Sequence, residues 1–294
     1  MPEGQIRKAI SGFYYVKSEN GNLVQCKGRG VFRNRGITPL VGDFVTIVQE
    51  GDNDATITEV HKRKSELVRP PIANIDQALL VFSIVEPDFS LHLLDRFLAV
   101  IESAGIQPVI CLTKKDVAKE KDLRQAESAT AYYRSIGYDV IATFIGDPDL
   151  YPLIQPYLAG KTTVLAGQSG VGKSTLLNTL IPELSLKTGE ISEALGRGRH
   201  TTRHVELLEV AGGLVADTPG FSSLDFDHIE KEELRDYFVE MENVAHECKF
   251  RGCLHLKEPA CAVKEKVETG EILQSRYTHY LQFLQEITDR KPRY

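Results

Sequence analysis

Apolar and polar positions change their spacing more than once along this chain. In the first part they alternate in short runs: "SGFYYVKS" and "NLVQCKG" flank the turn-forming "ENG", and "DFVTIVQE" and "ATITEVH" follow between Gly and Asp clusters. Period-two runs rich in β-branched and aromatic residues are strands, and this spacing predicts a small barrel of about five of them. "RPP" at 69–71 stiffens the chain and marks a boundary. Beyond it, apolar runs alternate with helical stretches: "QALLVFSIV", "LLDRFLAVIESAG", "PVICLT", "EKDLRQAESATAYYRSIG", "YDVIATF". That order predicts parallel strands joined by crossover helices, an α/β sheet. Near the end, Ile272, Leu273, Tyr277, Tyr280, Leu281 and Leu284 recur at helical spacing and predict a closing amphipathic helix with its aromatics in the core.

Composition narrows the class. The 294 residues, 42% hydrophobic and 26% charged, suit a multidomain globular protein. The first residues lack an apolar run of signal-peptide length, and "ALLVFSIV" at 78–85 is far short of a membrane span, so a cytoplasmic protein with no membrane contact is expected. Five cysteines, three of them within residues 248–261, do not form the even framework of a secreted scaffold, which points to metal or free thiols. The net charge of −6 is unevenly spread: residues 1–70 carry +3 and the remainder −9. Within the basic segment, Lys27, Arg29, Arg33 and Arg35 surround Phe32, a cluster able to meet a phosphate backbone while the ring stacks on a base, or else a solvated loop.

"GQSGVGKS", Gly167 to Ser174, fits the phosphate-loop pattern at every fixed position, between an apolar run and a helical one. Gly167, Gly170 and Gly172 let the amides of Gln168, Ser169, Val171 and their neighbours approach phosphate. Lys173 reaches the outer phosphates, Ser174 offers a hydroxyl to Mg²⁺, and Thr175 continues into the helix. "DTPG" places Asp217 at a strand end, where it can hold the metal through water, and Gly220 where its amide can meet a γ-phosphate. Between these, "LGRGRHTTRH" supplies Thr201 and Thr202, either of which suits Mg²⁺, and His200 as a candidate for placing the attacking water or a plain surface residue. "TKKD", Thr113, Lys114, Lys115 and Asp116, reads as a guanine-binding element, since the Asp116 carboxylate can accept the N1 and amino hydrogens that guanine alone presents together. It precedes the phosphate loop, the reverse of the ordinary order, which a GTPase domain cut before its base-reading strand and resealed elsewhere would produce.

"CKFRGCLHLKEPAC" brings Cys248, Cys253, His255 and Cys261 within fourteen residues. That set can close a tetrahedral Zn²⁺ site, one ion per chain. His246 is the substitute ligand if His255 points away, and buried free thiols are the alternative.

Taken together, the β-rich front, "TKKD", "GQSGVGKS", "GRGRHTT", "DTPGF" and the cysteine-rich end resemble the RsgA family, the circularly permuted GTPases of ribosome biogenesis also called YloQ in some bacteria. The resemblance implies a multidomain α/β protein: an N-terminal OB-fold RNA-binding domain (1–69), a circularly permuted P-loop GTPase domain (70–223) and a C-terminal zinc-binding domain with helices (224–294). The front pattern by itself does not separate an OB barrel from an SH3-like one. It further implies a GTP hydrolase, converting GTP to GDP and phosphate, that binds the small ribosomal subunit through its rRNA, assists late maturation and is stimulated by it. A monomer is expected. Two departures stand out: Thr113 replaces the usual Asn of the base motif, and Phe221 occupies the position of a water-orienting Gln, so slow intrinsic hydrolysis is expected. An ATP-using P-loop ATPase or kinase, which Asp116 argues against, and a nucleotide-gated RNA-binding adaptor without turnover are the alternatives.

Overall fold

The structure is a computed structural model and describes residues 2–30, 32, 36–49, 54–181, 205–217 and 225–290, with the backbone alone for Asp54 and Asp217. His200, Thr201, Thr202, Gly220, Phe221, Arg33 and Arg35 lie outside the described residues.

Five strands form the front barrel: β1 (Glu3–Ile10), β2 (Phe13–Ser18), β3 (Leu23–Gly28), β4 (Phe44–Gln49) and β5 (Asp54–Val60). They run in the order β1-β2-β3-β5-β4, and β4 returns to pair with β1, which closes the barrel. β3 and β5 pair in parallel while the other neighbours are antiparallel. That parallel pair inside a five-stranded Greek-key closure is the OB arrangement and excludes an SH3-like meander. Alternate residues Ile6, Val16, Cys26, Val45, Ile47 and Ile57 fill the interior. Phe32 joins them at 6% exposure, so it is not the base-stacking ring that its basic neighbours suggest. An aromatic ring beside an apolar barrel core gains about 1.5–3 kcal/mol from burial. Around the expected "RPP" boundary, β6 (Glu66–Leu67) and β7 (Ile72–Ala73) make a small hairpin tied to the barrel by a bridge between Val41 and Ile72.

The second sheet contains β8 (Gln77–Ser83), β9 (Gln107–Thr113), β10 (Asp139–Ala142), β11 (Thr162–Ala166), β12 (Glu206–Val210) and β13 (Gly213–Asp217). Spatially they run β10-β9-β8-β11-β13-β12, with the first five parallel and β12 reversed at the edge. β8, central and covered on both faces, is buried at every position, as its unbroken apolar sequence requires. Even positions Ala78, Leu80 and Phe82 face helix α1 (Leu91–Ser103) and helix α2 (Glu120–Ser135); odd positions Leu79 and Val81 face α3 (Leu150–Leu158) and α4 (Lys173–Leu180). The α3 segment carries Pro152 and Pro156, which hide a helix from pattern reading.

The two sheets are continuous. β1 pairs with β12 through Lys8 and Glu206, which makes one eleven-stranded sheet. Arg7 is the extra residue of a bulge, since the register against β2 shifts between Ile6 and Lys8. A bulge bends its strand and re-aims the residues beyond it. Here it turns β1 out of the barrel towards β12.

After the second sheet come a 3₁₀ turn (Leu234–Tyr237), α5 (Val239–Ala245), α6 (Ala262–Glu268) and α7 (Gln274–Asp289). Ile272, Tyr280 and Leu284 are buried as the periodicity predicts, together with Phe283, Ile287 and Arg276. Arg276 donates to Asp95 of α1 at 2.8 Å and to both Glu240 oxygens of α5 at 2.7 and 2.8 Å. Among the described residues no helix is long and apolar enough to cross a membrane.

Candidate functional site

Because β9, β8, β11 and β13 are parallel, their C-terminal ends share one edge of the sheet. The base motif follows β9, the phosphate loop follows β11, and Asp217 ends β13. Three elements far apart in sequence therefore meet along one crevice, where open α/β sheets bind ligands.

The loop is shaped by its glycines. At Gly167, with φ of 142°, a Cβ would collide with the Val81 carbonyl, and Gly172, with φ of 97°, turns the chain into α4 without a side-chain cap. The first amides of α4 thus remain directed at the crevice, with the positive end of the helix behind them. Lys173 Nζ lies 2.6 Å from the carbonyl oxygens of both Gly167 and Gln168, across the loop's mouth. Val171 is buried against the sheet, while Ser169, Gly170 and Thr175 are exposed and Ser174 is half-buried.

Thr113 answers the question raised by its departure from Asn. Its hydroxyl is buried, 2.6 Å from the Val171 carbonyl of the phosphate loop and 3.1 Å from the Phe82 carbonyl of β8. The single proton goes to the shorter contact. A threonine therefore clamps the base motif to the phosphate loop across 58 residues of sequence. Lys114 takes a left-handed conformation, φ 59°, and its ammonium donates to the Glu86 carbonyl. The Lys115 amide donates to the Thr143 carbonyl at 3.4 Å, which brings the loop after β10 beside the base motif. Asp116 is exposed at the crevice edge.

Sequence reasoning misses the segment after β8. A nucleotide running from the β11 end to the β9 end must cross the β8 end, and there Glu86 receives Lys114 while Pro87 lies 3.9 Å from the Cβ position of Gly170. "EPD" directly after a fully apolar strand is the available signal.

The cysteine cluster is compact. The ligand atoms of Cys248, Cys253, His255 and Cys261 all lie within 4.8 Å of one another. Cys248 Sγ is 3.9 Å from Cys261 Sγ and 3.7 Å from His255 Nδ1, and His255 Nδ1 is 3.3 Å from Cys261 Sγ. A tetrahedral Zn²⁺ with bonds of about 2.3 Å to sulfur and about 2.0 Å to nitrogen needs ligand spacings of roughly 3.5–3.8 Å. The donors fit. His255 stands in the left-handed region with φ of 56°, and its ring nitrogen lies with the three thiols in the cluster. The Tyr277 and Tyr280 hydroxyls donate to the carbonyls of His255 and Leu254 at 2.6 and 2.8 Å, and Arg235 donates to that of Cys253 at 3.0 Å, fixing the knuckle backbone. Burial, then Arg235, lowers His255 to about 4, so its ring is neutral and its Nδ1 can be a ligand. Burial pushes the Cys261 thiol up to about 12 and the Cys253 thiol also up, a cost that a bound dication reverses. His246 is exposed and outside the cluster.

Comparison with known proteins agrees with this geometry. A sequence model of the RsgA GTPase matches residues 60–227, and one of the RsgA N-terminal domain matches residues 3–57. The Small ribosomal subunit biogenesis GTPase RsgA of Bacillus subtilis (strain 168) is 58% identical over 298 residues, covering 100% of both chains. The protein of the same name from Bacillus anthracis is 57% identical, again over 100% of both. Among solved structures, that of YloQ, a circularly permuted GTPase, superposes with a TM-score of 0.84 at 53% identity over 100% of this chain and 97% of that one. YjeQ from Thermotoga maritima gives 0.85 at 35% identity over 99% of each. A phosphate loop and base motif set in reversed order on one sheet edge, behind an OB barrel and before a Cys₃His knuckle, place this chain in the RsgA GTPase family.

Proposed function

We propose that the chain hydrolyses GTP to GDP and phosphate while bound to the small ribosomal subunit, and that it assists that subunit's late maturation in the cytoplasm. The observation that carries this reading is the shared edge at which the β9, β11 and β13 ends meet, with Thr113 bonded to Val171. Full-length similarity to small-subunit biogenesis GTPases supports the choice of partner.

In this reading Asp116 accepts the guanine N1 and amino hydrogens, with Lys114 and Lys115 flanking the base and Thr113 holding the motif to the phosphate loop. The amides of Gly167 to Gly172, with Lys173 and Thr175, cradle the phosphates. Ser174, one of Thr201 and Thr202, and Asp217 through water hold Mg²⁺, which neutralises phosphate charge. The Gly220 amide meets the γ-phosphate, and His200 places the attacking water. Cys248, Cys253, His255 and Cys261 hold one Zn²⁺ that fixes the knuckle. The divisions are 1–69, 70–223 and 224–294, supported by the barrel strands ending with β5 and by the change from alternating strands and helices to helices alone after β13. The basic face of the barrel, with Lys27 and Arg29 exposed, meets rRNA, and the protein acts as a monomer.

The test is turnover of GTP and XTP by the native chain and by Asp116→Asn, alone and with purified small or large subunits. The native chain should prefer GTP and be accelerated by the small subunit alone. The variant should shift towards XTP, since polar recognition of this kind discriminates by about 10⁴ or more. Equal stimulation by the large subunit, or an unchanged GTP preference in the variant, defeats the reading.

A further inference from the structure

The barrel is joined to the nucleotide sheet at a particular row. Across the joint, Lys8 of β1 is the register partner of Glu206 of β12, and Glu206 is the register partner of Asp217 of β13. Lys8, Glu206 and Asp217 therefore stand in one line across three neighbouring strands. The line is reinforced by an ion pair between Lys8 Nζ and Glu206 at 2.8 Å, with side chains 27% and 33% exposed. Further along β12, towards its far end, Lys17 pairs with Glu209, whose register partner is Leu214 and not a residue at the crevice.

We propose that Lys8 is a positioning residue for the magnesium side of the nucleotide site, acting through Glu206 on Asp217, so that a displacement of the barrel is felt at the β13 end. This rests on the role given to Asp217 in the preceding reading. Three observations support it. The Arg7 bulge aims β1 away from the barrel and delivers Lys8 to β12, so the contact is built into the strand. β12 is a two-sided strand, hydrogen-bonded to β13 from Glu206 to Val210 on one side and to β1 on the other, and a stiff ladder transmits shifts across its width. The row of contact coincides with the last residue of β13, the position at the crevice edge, rather than with the hairpin end at Val210 and Gly213.

The coupling runs both ways, as linkage requires: whatever moves the barrel changes magnesium-dependent nucleotide binding, and bound nucleotide with Mg²⁺ changes how the barrel is held. A barrel seated on rRNA is thereby able to adjust the metal side of the site without touching nucleotide.

The experiment measures binding of a fluorescent non-hydrolysable GTP analogue against Mg²⁺ concentration for the full chain and for Lys8→Glu, Lys8→Arg and Lys17→Glu, with thermal melting of each. Lys8→Glu should raise the Mg²⁺ needed for half-saturation roughly 3- to 10-fold, within the range seen for mutations along a coupled route. Binding without Mg²⁺ should stay within about twofold, because the phosphate loop is untouched. Lys8→Arg should restore the native value, and Lys17→Glu should lower the melting temperature without moving the Mg²⁺ midpoint. The idea fails if Lys8→Glu matches the native chain, or if Lys17→Glu shifts the midpoint equally, which would make the joint merely structural. If Lys8→Glu does not fold, Lys8→Ala takes its place with the same expectation. A native chain that binds the analogue with no Mg²⁺ dependence overturns the assignment of Asp217 and this coupling together; a native Mg²⁺ dependence that ignores Lys8 overturns the coupling alone.

Discussion

The nucleotide sheet has two neighbours, and it holds them by opposite means. On one side the barrel is attached by a strand pair and by ion pairs open to solvent, Lys8 with Glu206 and Lys17 with Glu209, the latter glutamate 63% exposed. On the other side, the C-terminal helices are attached by charges taken fully out of water: Arg276 and Asp95 have side chains 1% and 0% exposed, joined by Glu240, His279 and the Tyr133 hydroxyl. Exposed pairs are worth about 0–1 kcal/mol and weaken with salt. A buried charge left without its partner costs about 3–5 kcal/mol. The barrel is thus held by the weaker, more salt-sensitive side-chain contacts and the C-terminal module by the stronger buried ones, which suits a barrel that reports on a partner and a module that serves as a fixed handle.

The largest effect should come from Arg276→Met. Asp95 and Glu240 would be left buried without a cation, and stability in urea should fall by about 3–5 kcal/mol, with the C-terminal helices released first. Acid probes the same network. Burial pushes the Asp95 carboxyl up, but Arg276, His279 and Tyr133 outweigh burial and hold it below its ordinary value. Its contribution is therefore complete above the unfolded pKa of about 4 and is lost as pH falls through the lower folded value. Protection factors in α7, corrected for the intrinsic pH dependence of amide exchange, that fall on acidification from that point in the native chain and do not in Arg276→Met are the expected signature. An Arg276→Met chain as stable as the native one would erase the contrast between the two attachments.

A smaller effect is expected at the knuckle. Phe238, Met241, Tyr280, Phe283 and Leu284 pack beside Arg276 in a core that Cys253 and Cys261 join at one margin, so most of its apolar contacts do not involve the cysteines. Cys253→Ala should abolish zinc binding and loosen residues 248–261, at about 1–3 kcal/mol, while α7 stays docked. In isolated zinc-finger peptides the metal supplies about 10–16 kcal/mol and organises everything. Loss of the whole module in Cys253→Ala, by circular dichroism and exchange, would make the metal and not the buried charges the organiser. The smallest effect is Lys17→Ala, under about 1 kcal/mol and vanishing at high salt; a larger, salt-independent loss would mean that the barrel joint is as rigid as the other.

The chemistry is more legible in the sequence than the joints are. The phosphate loop and the Cys₃His set are local patterns whose geometry follows from spacing, and the base motif becomes readable once order is allowed to differ from position. β1 escapes pattern reading because Arg7 and Lys8 interrupt its alternation, and the bulge that causes the interruption becomes visible only when the register against β2 is known. Arg276 escapes for a different reason: on a helix whose apolar stripe is read by period, an arginine is assigned to solvent, and the carboxylates that bury it stand on α1 and α5, 181 and 36 residues away. Phe32 is misplaced by its basic neighbours, whose charge says nothing about which way a ring between them turns. The role of Thr113 is invisible in sequence because its partner, Val171, belongs to another strand's loop.

The Thr113 to Val171 bond also sets a timetable. Chains are made from the N-terminus and domains fold as they appear. The barrel and the β8-α1-β9 unit can close early, since their contacts lie within the first 113 residues, yet Thr113 must wait for residue 171 and Lys8 for residue 206. The nascent protein holds its base-reading half in place well before any phosphate loop exists. It therefore passes through a long interval in which it has a barrel and a base-reading half but no phosphate loop, and its seam to the barrel closes later still, when β12 is made.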